Sequence, residues 1–438
     1  MRPFSSANWL KVDPLLLFSV LFLVVIGISA VYSASSYRAD TMVQRRLLRE
    51  AQKAQEEGDQ ERAEKLLRQA KSVDGSGYYI RKQIGKLLIG LVLMAVVVAV
   101  PYERLLAWSP IFLLISIALL ILLLLPLPFV VRRDAAARWL NFFGFTFQPS
   151  DFARYALILF LARILYDARE FLNNWKVYLT ILGIIFIVVG LVAVEKDLGT
   201  AAMITMIAFT MLFFAGVRIG FLFLTGMSFF AVALIYLQIN PYMLDRMIKF
   251  LAPLFGVGRH AFQIEQSLIS FALGGPLGVG IGSSVQKYDF LPEAHKDMIF
   301  SIIGEEMGFI GAVWLLVLFA VVIYRGIHIA VTAPTGYGRL LAGGITACIA
   351  VYAVINAAVA LALLPTTGVP MPFISYGGSA LISHLIGVGI LLNLSTRSTP
   401  SALYEDEATL SRRVRTMTFS GNSRTRGVRR SPSIVFRG

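Results

Sequence analysis

The stretch PLLLFSVLFLVVIGISAVYSA, from Pro14 to Ala34, contains no charged residue and is long enough to cross a bilayer as a helix. Similar runs recur along a chain of 438 residues that is 57% hydrophobic and only 15% charged. A soluble domain could not bury so much apolar surface. Because the runs are continuous and do not alternate at period two, they predict helices and not a β-barrel. The fold class is therefore predicted to be an all-α polytopic membrane protein.

Hydropathy predicts about ten transmembrane helices. Their ranges are 14–34, 84–100, 109–129, 152–168, 177–194, 200–217, 219–239, 299–323, 338–363 and 376–394. The first run lacks a small-residue cleavage site followed by soluble sequence, so we expect a retained helix and not a removed signal peptide.

The distribution of basic residues predicts the orientation. An even number of spans puts both termini on one side, and the segment from Ser395 to Gly438 carries nine arginines against three acidic residues. Most cations of the short loops fall on the same side, so the positive-inside rule places both termini in the cytoplasm. Arg132, Arg133 and Arg138 fall outside in this arrangement and count against it.

The predicted organisation has four parts. Residues 1–37 form the N-terminus and first span, 38–78 an extracytoplasmic charged helical insertion, 79–395 the transmembrane core, and 396–438 a basic cytoplasmic tail, predicted to be disordered. The insertion holds nine basic and eight acidic residues. Its apolar residues follow helical spacing on either side of Gly58 (Val43, Leu47 and Ala51, then Ala63, Leu66, Leu67 and Ala70), which predicts a helical hairpin. The sequence leaves open whether this hairpin is a solvated insertion or a docking element.

A large extracytoplasmic loop is predicted between spans seven and eight, from Asn240 to Met298. Loops of this length are usually functional or contain helices of their own. Within it, Phe262 to Leu273 alternates apolar and polar residues and is expected to lie along the membrane surface. The lone cysteine, Cys348, excludes an internal disulfide and a cysteine metal cluster.

Ionisable residues gather where this loop enters the eighth span, in LPEAHKDMIFSIIGEE (Leu291 to Glu306). Charged groups at a membrane boundary are costly when unpaired and are usually retained for a partner, a pathway or chemistry. Asp297 is the foremost candidate for chemistry. A helix-entry cap or a topology charge is the alternative explanation for it.

Four motifs carry a resemblance to a known family. They are FQPSDFAR (Phe147 to Arg154), KDLGT (Lys196 to Thr200), the stretch from Gln266 to Gly308, and LLPTTGVPMPFISYGGSAL (Leu363 to Leu381). In this order and spacing the chain resembles the SEDS family of shape, elongation, division and sporulation proteins over about residues 10 to 395. The stretch from Ser283 to Glu306 is more similar to the division branch, FtsW, than to the elongation branch, RodA.

The resemblance implies a peptidoglycan glycosyltransferase. Such an enzyme polymerises lipid II by inverting glycosyl transfer, with undecaprenyl pyrophosphate as the leaving group, together with a class B penicillin-binding protein. One carboxylate suffices as the base in this chemistry, because pyrophosphate leaves readily and needs charge neutralisation more than an acid. A divalent cation, Mg²⁺ or Mn²⁺, could supply that charge, and its site in this chain is unknown.

The resemblance also implies the site residues. Asp297 matches the family's catalytic aspartate. Arg154 and Asp197 match a lysine and an aspartate that pair in a central cavity, and Asp151 replaces a family glutamate. Lys296 departs from the usual threonine and is expected to point toward the pyrophosphate or headgroups, whereas His295 is expected to make a structural hydrogen bond. The remaining candidates for binding substrate or lining the cavity are Glu306, Arg246, Ser375, Gly377 and Gly378.

The expected setting is the bacterial cytoplasmic (inner) membrane, with multiple spans and the active site facing outside. A septal role in cell division is predicted, with other divisome proteins as further partners and no nucleic-acid partner. The alternatives are a RodA-like elongation polymerase, a lipid II flippase or transporter, and a non-enzymatic scaffold. Transporters also contain broken helices and charges near the membrane midplane.

Overall fold

The computed structural model describes residues 12–56, 59–71, 77–133, 136–142, 145–288 and 290–397. Within these ranges the chain forms thirteen α-helices and one small sheet. The helices are α1 (Pro14–Glu56), α2 (Gln60–Lys71), α3 (Gly77–Ala99), α4 (Tyr102–Leu124), α5 (Pro149–Asp167), α6 (Trp175–Val194), α7 (Leu198–Phe214), α8 (Ile219–Ile239), α9 (Pro241–Leu251), α10 (Phe262–Gly274), α11 (Ile299–Thr332), α12 (Gly336–Ala360) and α13 (Gly378–Ser395).

The mostly helical, polytopic prediction is confirmed. In the described part of the chain, eight helices are long and apolar enough to cross a membrane: α1, α3, α4, α6, α8, α11, α12 and α13. The other two predicted spans coincide with α5 and with the shorter apolar helix α7. The count of ten spans therefore stays a prediction, although each of the ten predicted segments contains a helix.

Helices α12 and α13 form the centre of the bundle, and small residues let their neighbours approach closely. A methyl group on Gly344 would lie 2.7 Å from Met211 Sδ, and one on Gly389 would lie 2.8 Å from the Met94 carbonyl oxygen. Such contacts replace the hydrophobic effect as the source of helix association in lipid. At the periphery, α8 buries only Thr225 and exposes most of its large apolar side chains, as expected of a lipid-facing helix.

A three-stranded antiparallel sheet lies between α4 and α5 and was not predicted. Its strands, in chain order, are β1 (Val130–Arg133), β2 (Ala136–Phe142) and β3 (Phe145–Phe147). Leu140 faces Val130 on one side and Phe147 on the other and is fully buried. Branched and aromatic residues favour strands, but three such short pieces give a weak signal beside long apolar helices. The fourth helix accordingly ends at Leu124 and not near residue 129.

The first helix continues well beyond its apolar run. α1 has 43 residues without a break, and α2 folds back on it, so the helical pair predicted for the insertion is present. Ala51 and Ala54 of α1 and Ala63 and Ala70 of α2 are buried. The predicted break at Gly58 and the tail from residue 398 onward lie outside the described residues. Tyr37, which lies just after the apolar run of α1, packs edge-on against Tyr288 with ring centroids 5.1 Å apart.

The long loop between α8 and α11 contains two helices, α9 and α10, joined by a 3₁₀ turn at Ala252–Phe255 and irregular chain. The segment Phe262 to Leu273, expected along the membrane surface, forms most of helix α10, which packs against α11. After α10 the chain runs irregularly to Met298. This irregular part carries the candidate site.

We expect the core to fold without the hairpin. Replacing Ala39 to Ser76 by a short Gly/Ser linker should change the melting temperature in detergent by no more than about 3 °C. The reason is that α2 packs on the part of α1 beyond its apolar run, and both would be removed together. The measurement is thermal unfolding of wild-type and deleted protein in the same micelle. A much larger fall would mean that the hairpin stabilises the core.

Candidate active site

Asp297 lies two residues before α11, in a turn that brings it against two other elements. Gln263 of α10 donates to the Pro292 carbonyl at 3.3 Å and lies 3.5 Å from Asp297 Oδ1. On the other side, a methyl group on Gly368 would lie 3.9 Å from Asp297 Oδ2. The N-cap of α11 is Met298, with no side-chain cap, so Asp297 is not a helix cap.

The surroundings of Asp297 raise the pKa of its carboxyl group. Desolvation by the packed loop raises the pKa of this carboxyl to about 6, and Glu293 adds to the rise. Hydrogen bonds from its own backbone and from Gln263, and the charge of Lys296, act in the opposite direction on the pKa. A carboxyl with such a pKa is mostly ionised at neutral pH and is a stronger base than a free aspartate.

Lys296 and His295, the neighbours of Asp297, take up different surroundings. Lys296 forms an ion pair with Glu293, one turn earlier, and both side chains are about one-third exposed. His295 is buried, with its ring 5.2 Å from Tyr79 and 5.6 Å from Tyr376, and its carbonyl accepts from the Tyr376 amide at 2.8 Å. His295 is thus built into the packing, whereas Lys296 stays near the surface.

The loop before Asp297 is held by two adjacent carboxylates of α11. Glu305 accepts from Ser284 Oγ at 2.6 Å, from the Val285 amide at 2.7 Å and from the Gln286 amide at 3.4 Å. Glu306 accepts from Ser33 Oγ of α1 and from the Ser284 amide. Glu306 therefore faces the interior. Glu305 was not among the predicted site residues, although its position beside Glu306 after an apolar run could have indicated it.

A break in α11 lets its backbone take part in the same anchoring. Gly308 has φ 67° and interrupts the helix, and the carbonyls of Glu305 and Glu306 accept from the amides of Val279 and Gly280 at 3.0 Å each. A methyl group on Gly278 would lie 2.2 Å from the Glu306 carbonyl oxygen. Only glycine fits this crossing, because a side chain there would overlap the backbone.

The segment between α12 and α13 forms the opposite wall of the site. Thr366 Oγ1 accepts from Arg246 Nε at 3.0 Å and from its Nη2 at 2.6 Å. Ser375 Oγ accepts from the Met371 amide at 2.8 Å and so closes a turn. Arg246 is thus tied to the wall that contains Gly368, while Ser375 has a local structural contact.

Gly377 and Gly378 begin α13 at the far end of this wall. A methyl group on Gly378 would lie 1.9 Å from Lys86 Cδ, and Lys86 Nζ lies 5.6 Å from the centre of the Tyr376 ring. Lys86 was not predicted as a site residue. Its signal was a single charge inside the predicted span 84–100.

The predicted ion pair between Arg154 and Asp197 is wrong. Arg154 Nη1 lies 3.3 Å from Asp151 Oδ1, one turn earlier on α5, and Nη2 donates to Ser383 Oγ at 3.0 Å. Its guanidinium also lies over the Tyr352 ring, 4.3 Å from the centroid. A partner one turn away on the same helix is already a close neighbour, so Asp151 takes the contact.

Asp197 has its own set of partners at the start of α7. It accepts from the Thr200 amide at 3.3 Å as the N-cap and from Gln148 Nε2 at 3.1 Å, and it lies 4.0 Å from Arg138 Nη1. Arg138 also donates to the Lys196 carbonyl. The charge of Arg138, which disagreed with the predicted orientation, therefore lies beside a carboxylate.

Glu195, like Glu305, carries a carboxyl group that was not among the predicted site residues. Within the described part of the chain, both of its side-chain oxygens are buried without a hydrogen-bond partner. Desolvation and the nearby Asp197 raise the pKa of Glu195 to about 9, against the opposing charge of Arg138. Glu195 is therefore neutral at pH 7, which avoids an unpaired buried charge.

The described residues offer no protein-built metal centre. Nowhere in the described ranges do three or more histidine, cysteine, aspartate or glutamate side chains come together in a way that could hold an ion.

Comparison with known proteins places this arrangement in a family. The FtsW/RodA/SpoVE family, described as cell cycle proteins, matches residues 64–400. The chain is 36% identical over 390 residues to stage V sporulation protein E of Bacillus subtilis, covering 88% of this chain and 97% of that protein. It is 34% identical over 395 residues to a probable peptidoglycan glycosyltransferase FtsW of Trichlorobacter lovleyi, covering 90% and 95%.

A solved structure has the same fold. It was determined in work on the coordination of polymerization and crosslinking by a peptidoglycan synthase complex, and it superposes with a TM-score of 0.67 at 24% identity, covering 88% of this chain and 98% of that one. At this identity the likeness concerns the fold.

The pairing of Arg154 with Asp151 can be tested by a double-mutant cycle. Arg154→Met alone should destabilise the protein by about 3–5 kcal/mol, because it leaves the buried Asp151 carboxylate without its cation. Adding Asp151→Asn should recover part of that loss. The measurement is unfolding in detergent, and the matched cycle of Arg154 with Asp197 should give a smaller coupling energy. Equal couplings in the two cycles would contradict the assignment.

Proposed function

The chain belongs to the FtsW/RodA/SpoVE family, and from this premise we propose that it is a peptidoglycan glycosyltransferase that polymerises lipid II with Asp297 as general base. The observation that carries the proposal is the position of the Asp297 carboxylate, desolvated between Gln263 and Gly368 with a pKa of about 6. This is the protonation behaviour that a base needs near neutral pH.

The proposed reaction is a single displacement. Asp297 takes the proton from an acceptor sugar hydroxyl while that oxygen attacks the anomeric carbon of the donor. The bond from that carbon to the pyrophosphate oxygen breaks, and its electron pair leaves with undecaprenyl pyrophosphate, so the configuration inverts. A second carboxylic acid is unnecessary, because pyrophosphate is a good leaving group once its charge is balanced.

Arg246 and Lys296 are the proposed partners of the phosphates. Arg246 is fixed to Thr366, two residues from Gly368, and Lys296 directly precedes Asp297. Guanidinium and ammonium groups both bind phosphate oxygens well. A divalent cation, Mg²⁺ or Mn²⁺, stays a prediction, and the reaction as written does not require one.

The proposed setting is the bacterial inner membrane, with Asp297 on the outer side and a class B penicillin-binding protein as partner. The solved structure with a similar fold comes from work on a complex that polymerizes and crosslinks, and this supports a crosslinking partner. We propose a septal role, supported by the FtsW relatives. Because a sporulation protein is equally similar, complementation of separate division, elongation and sporulation mutants is the test of the role.

Transport of lipid II is the main alternative, and the buried charges argue against it. A carrier would need a charged group open to the moving headgroup. Arg154, however, is 1% exposed and is occupied by Asp151 and Ser383. The charge that the transport hypothesis relied on is therefore enclosed.

Replacing the base should abolish synthesis. Asp297→Asn keeps the shape of the side chain and removes its basicity, so the rate of lipid II polymerisation should fall by about 10²- to 10⁴-fold. The measurement is glycan-strand formation by purified protein with its penicillin-binding partner. The control is Asp245→Asn, which changes an exposed carboxylate paired with Lys249 in the same loop and should leave the rate unchanged. Near-normal synthesis by Asp297→Asn would refute the assignment.

The pH dependence gives an independent check on the base. Since Asp297 acts only when ionised and its pKa lies near 6, kcat/KM should be constant above about pH 7 and fall tenfold per pH unit well below pH 6. An acid limb near pH 4 would mean that the reacting carboxylate is an ordinary, solvated one.

A further inference from the structure

Asn356 joins the two walls of the candidate site. It belongs to α12, it is 1% exposed, and its Nδ2 donates to the Asp297 carbonyl at 2.9 Å and to the Val369 carbonyl at 2.8 Å. Both hydrogens of one amide group are thus used, one on each wall.

The two carbonyls belong to the backbone on either side of the Asp297 carboxylate. Asp297 itself is on one wall. Val369 is on the other and directly follows Gly368, where an added methyl group would lie 3.9 Å from Asp297 Oδ2. Neither wall is helical at this point, so its backbone position depends on such outside contacts. Helix α12, in contrast, is packed on nearly all sides and offers a rigid support.

We propose that Asn356 is a positioning residue for the reaction: its amide sets the separation of the Asp297 turn from the Gly368–Val369 backbone and so keeps the carboxylate in its desolvated place. This inference rests on the proposed function of Asp297. A displacement of about 1 Å of a reacting group can cost about 100-fold in rate. Asn356 itself need not touch substrate.

The chain contains a matched control in Asn393 of α13. Its side chain is 2% exposed, and its Nδ2 donates to the carbonyls of Val98 at 2.6 Å and Val100 at 2.8 Å. As in Asn356, the side-chain oxygen is buried and has no hydrogen-bond partner among the residues that the structure describes. Asn393 therefore has similar burial and the same kind of bridge, but at the end of α3 and away from the candidate site.

The first experiment compares Asn356→Leu with Asn393→Leu, because leucine has a similar volume and no donor. For Asn356→Leu we expect kcat for lipid II polymerisation to fall about 10- to 100-fold, with KM changed less than about threefold. The acid limb of kcat/KM should also move below pH 6, because a released Asp297 becomes hydrated. Asn393→Leu should leave the limb in place, whatever it does to the melting temperature.

A milder substitution guards against misfolding. Asn356→Ser keeps one donor and should shift the limb in the same direction by a smaller amount. If both Asn356 variants lower kcat but leave the acid limb of kcat/KM at the same pH as Asn393→Leu does, the inference is overturned.

A second readout does not need polymerisation. Cys348 is the only cysteine and is fully buried, so Asp297→Cys introduces a single reactive thiol. Adding Asn356→Leu should speed its labelling by a water-soluble maleimide several-fold, whereas adding Asn393→Leu should not. Equal labelling rates would overturn the positioning role.

The two readouts separate the two proposals. If wild type shows no acid limb and Asp297→Asn remains active, the proposed function fails and the positioning role of Asn356 fails with it. If Asp297→Asn is inactive but Asn356→Leu changes neither the limb nor the labelling, the inference about Asn356 fails alone.

Discussion

Irregular backbone beside a membrane must find its hydrogen-bond partners within the protein, and here Glu305 and Glu306 supply them. Their carboxylates hold residues 284–286 and Ser33, and their carbonyls, freed by the break at Gly308, hold Val279 and Gly280. The loop leading to Asp297 therefore has a fixed course without secondary structure. The chemistry proposed for Asp297 depends on this anchoring, because a mobile carboxylate would be hydrated and would lose its raised pKa.

The segment Thr366 to Val369 connects elements that lie far apart in the chain. Thr366 holds Arg246, and a methyl group on Gly199 would lie 2.5 Å from the Thr367 carbonyl oxygen. Gly368 faces Asp297, and Val369 accepts from Asn356. Four consecutive residues thus fix α9, α7, the Asp297 turn and α12 to one another. A displacement of this segment would disturb the proposed phosphate-binding residue Arg246 and the proposed base Asp297 together.

The buried charges near α5 show how local geometry decides pairing. Arg154 pairs with Asp151 one turn away, whereas Asp197 caps α7 and lies beside Arg138. Motif resemblance indicated that these residues share a region of the bundle. It could not indicate which carboxylate the guanidinium contacts, because that depends on side-chain direction within α5. The neutral Glu195 follows from the same crowding of acidic groups.

The sequence by itself determined the membrane class and the position of nearly every long helix, and it indicated Asp297 as the candidate for chemistry, because long apolar runs and a charged residue at their boundary are strong local signals. The helical pair α1–α2 followed from periodicity in the same way. Only the tertiary structure decided the sheet at residues 130–147, the partners of Arg154 and Asp197, the anchoring by Glu305, and the bridge through Asn356. Some of these features join residues far apart in the chain, such as Arg154 and Ser383 or Asn356 and Asp297. The others depend on side-chain direction and on packing, which local sequence patterns do not specify.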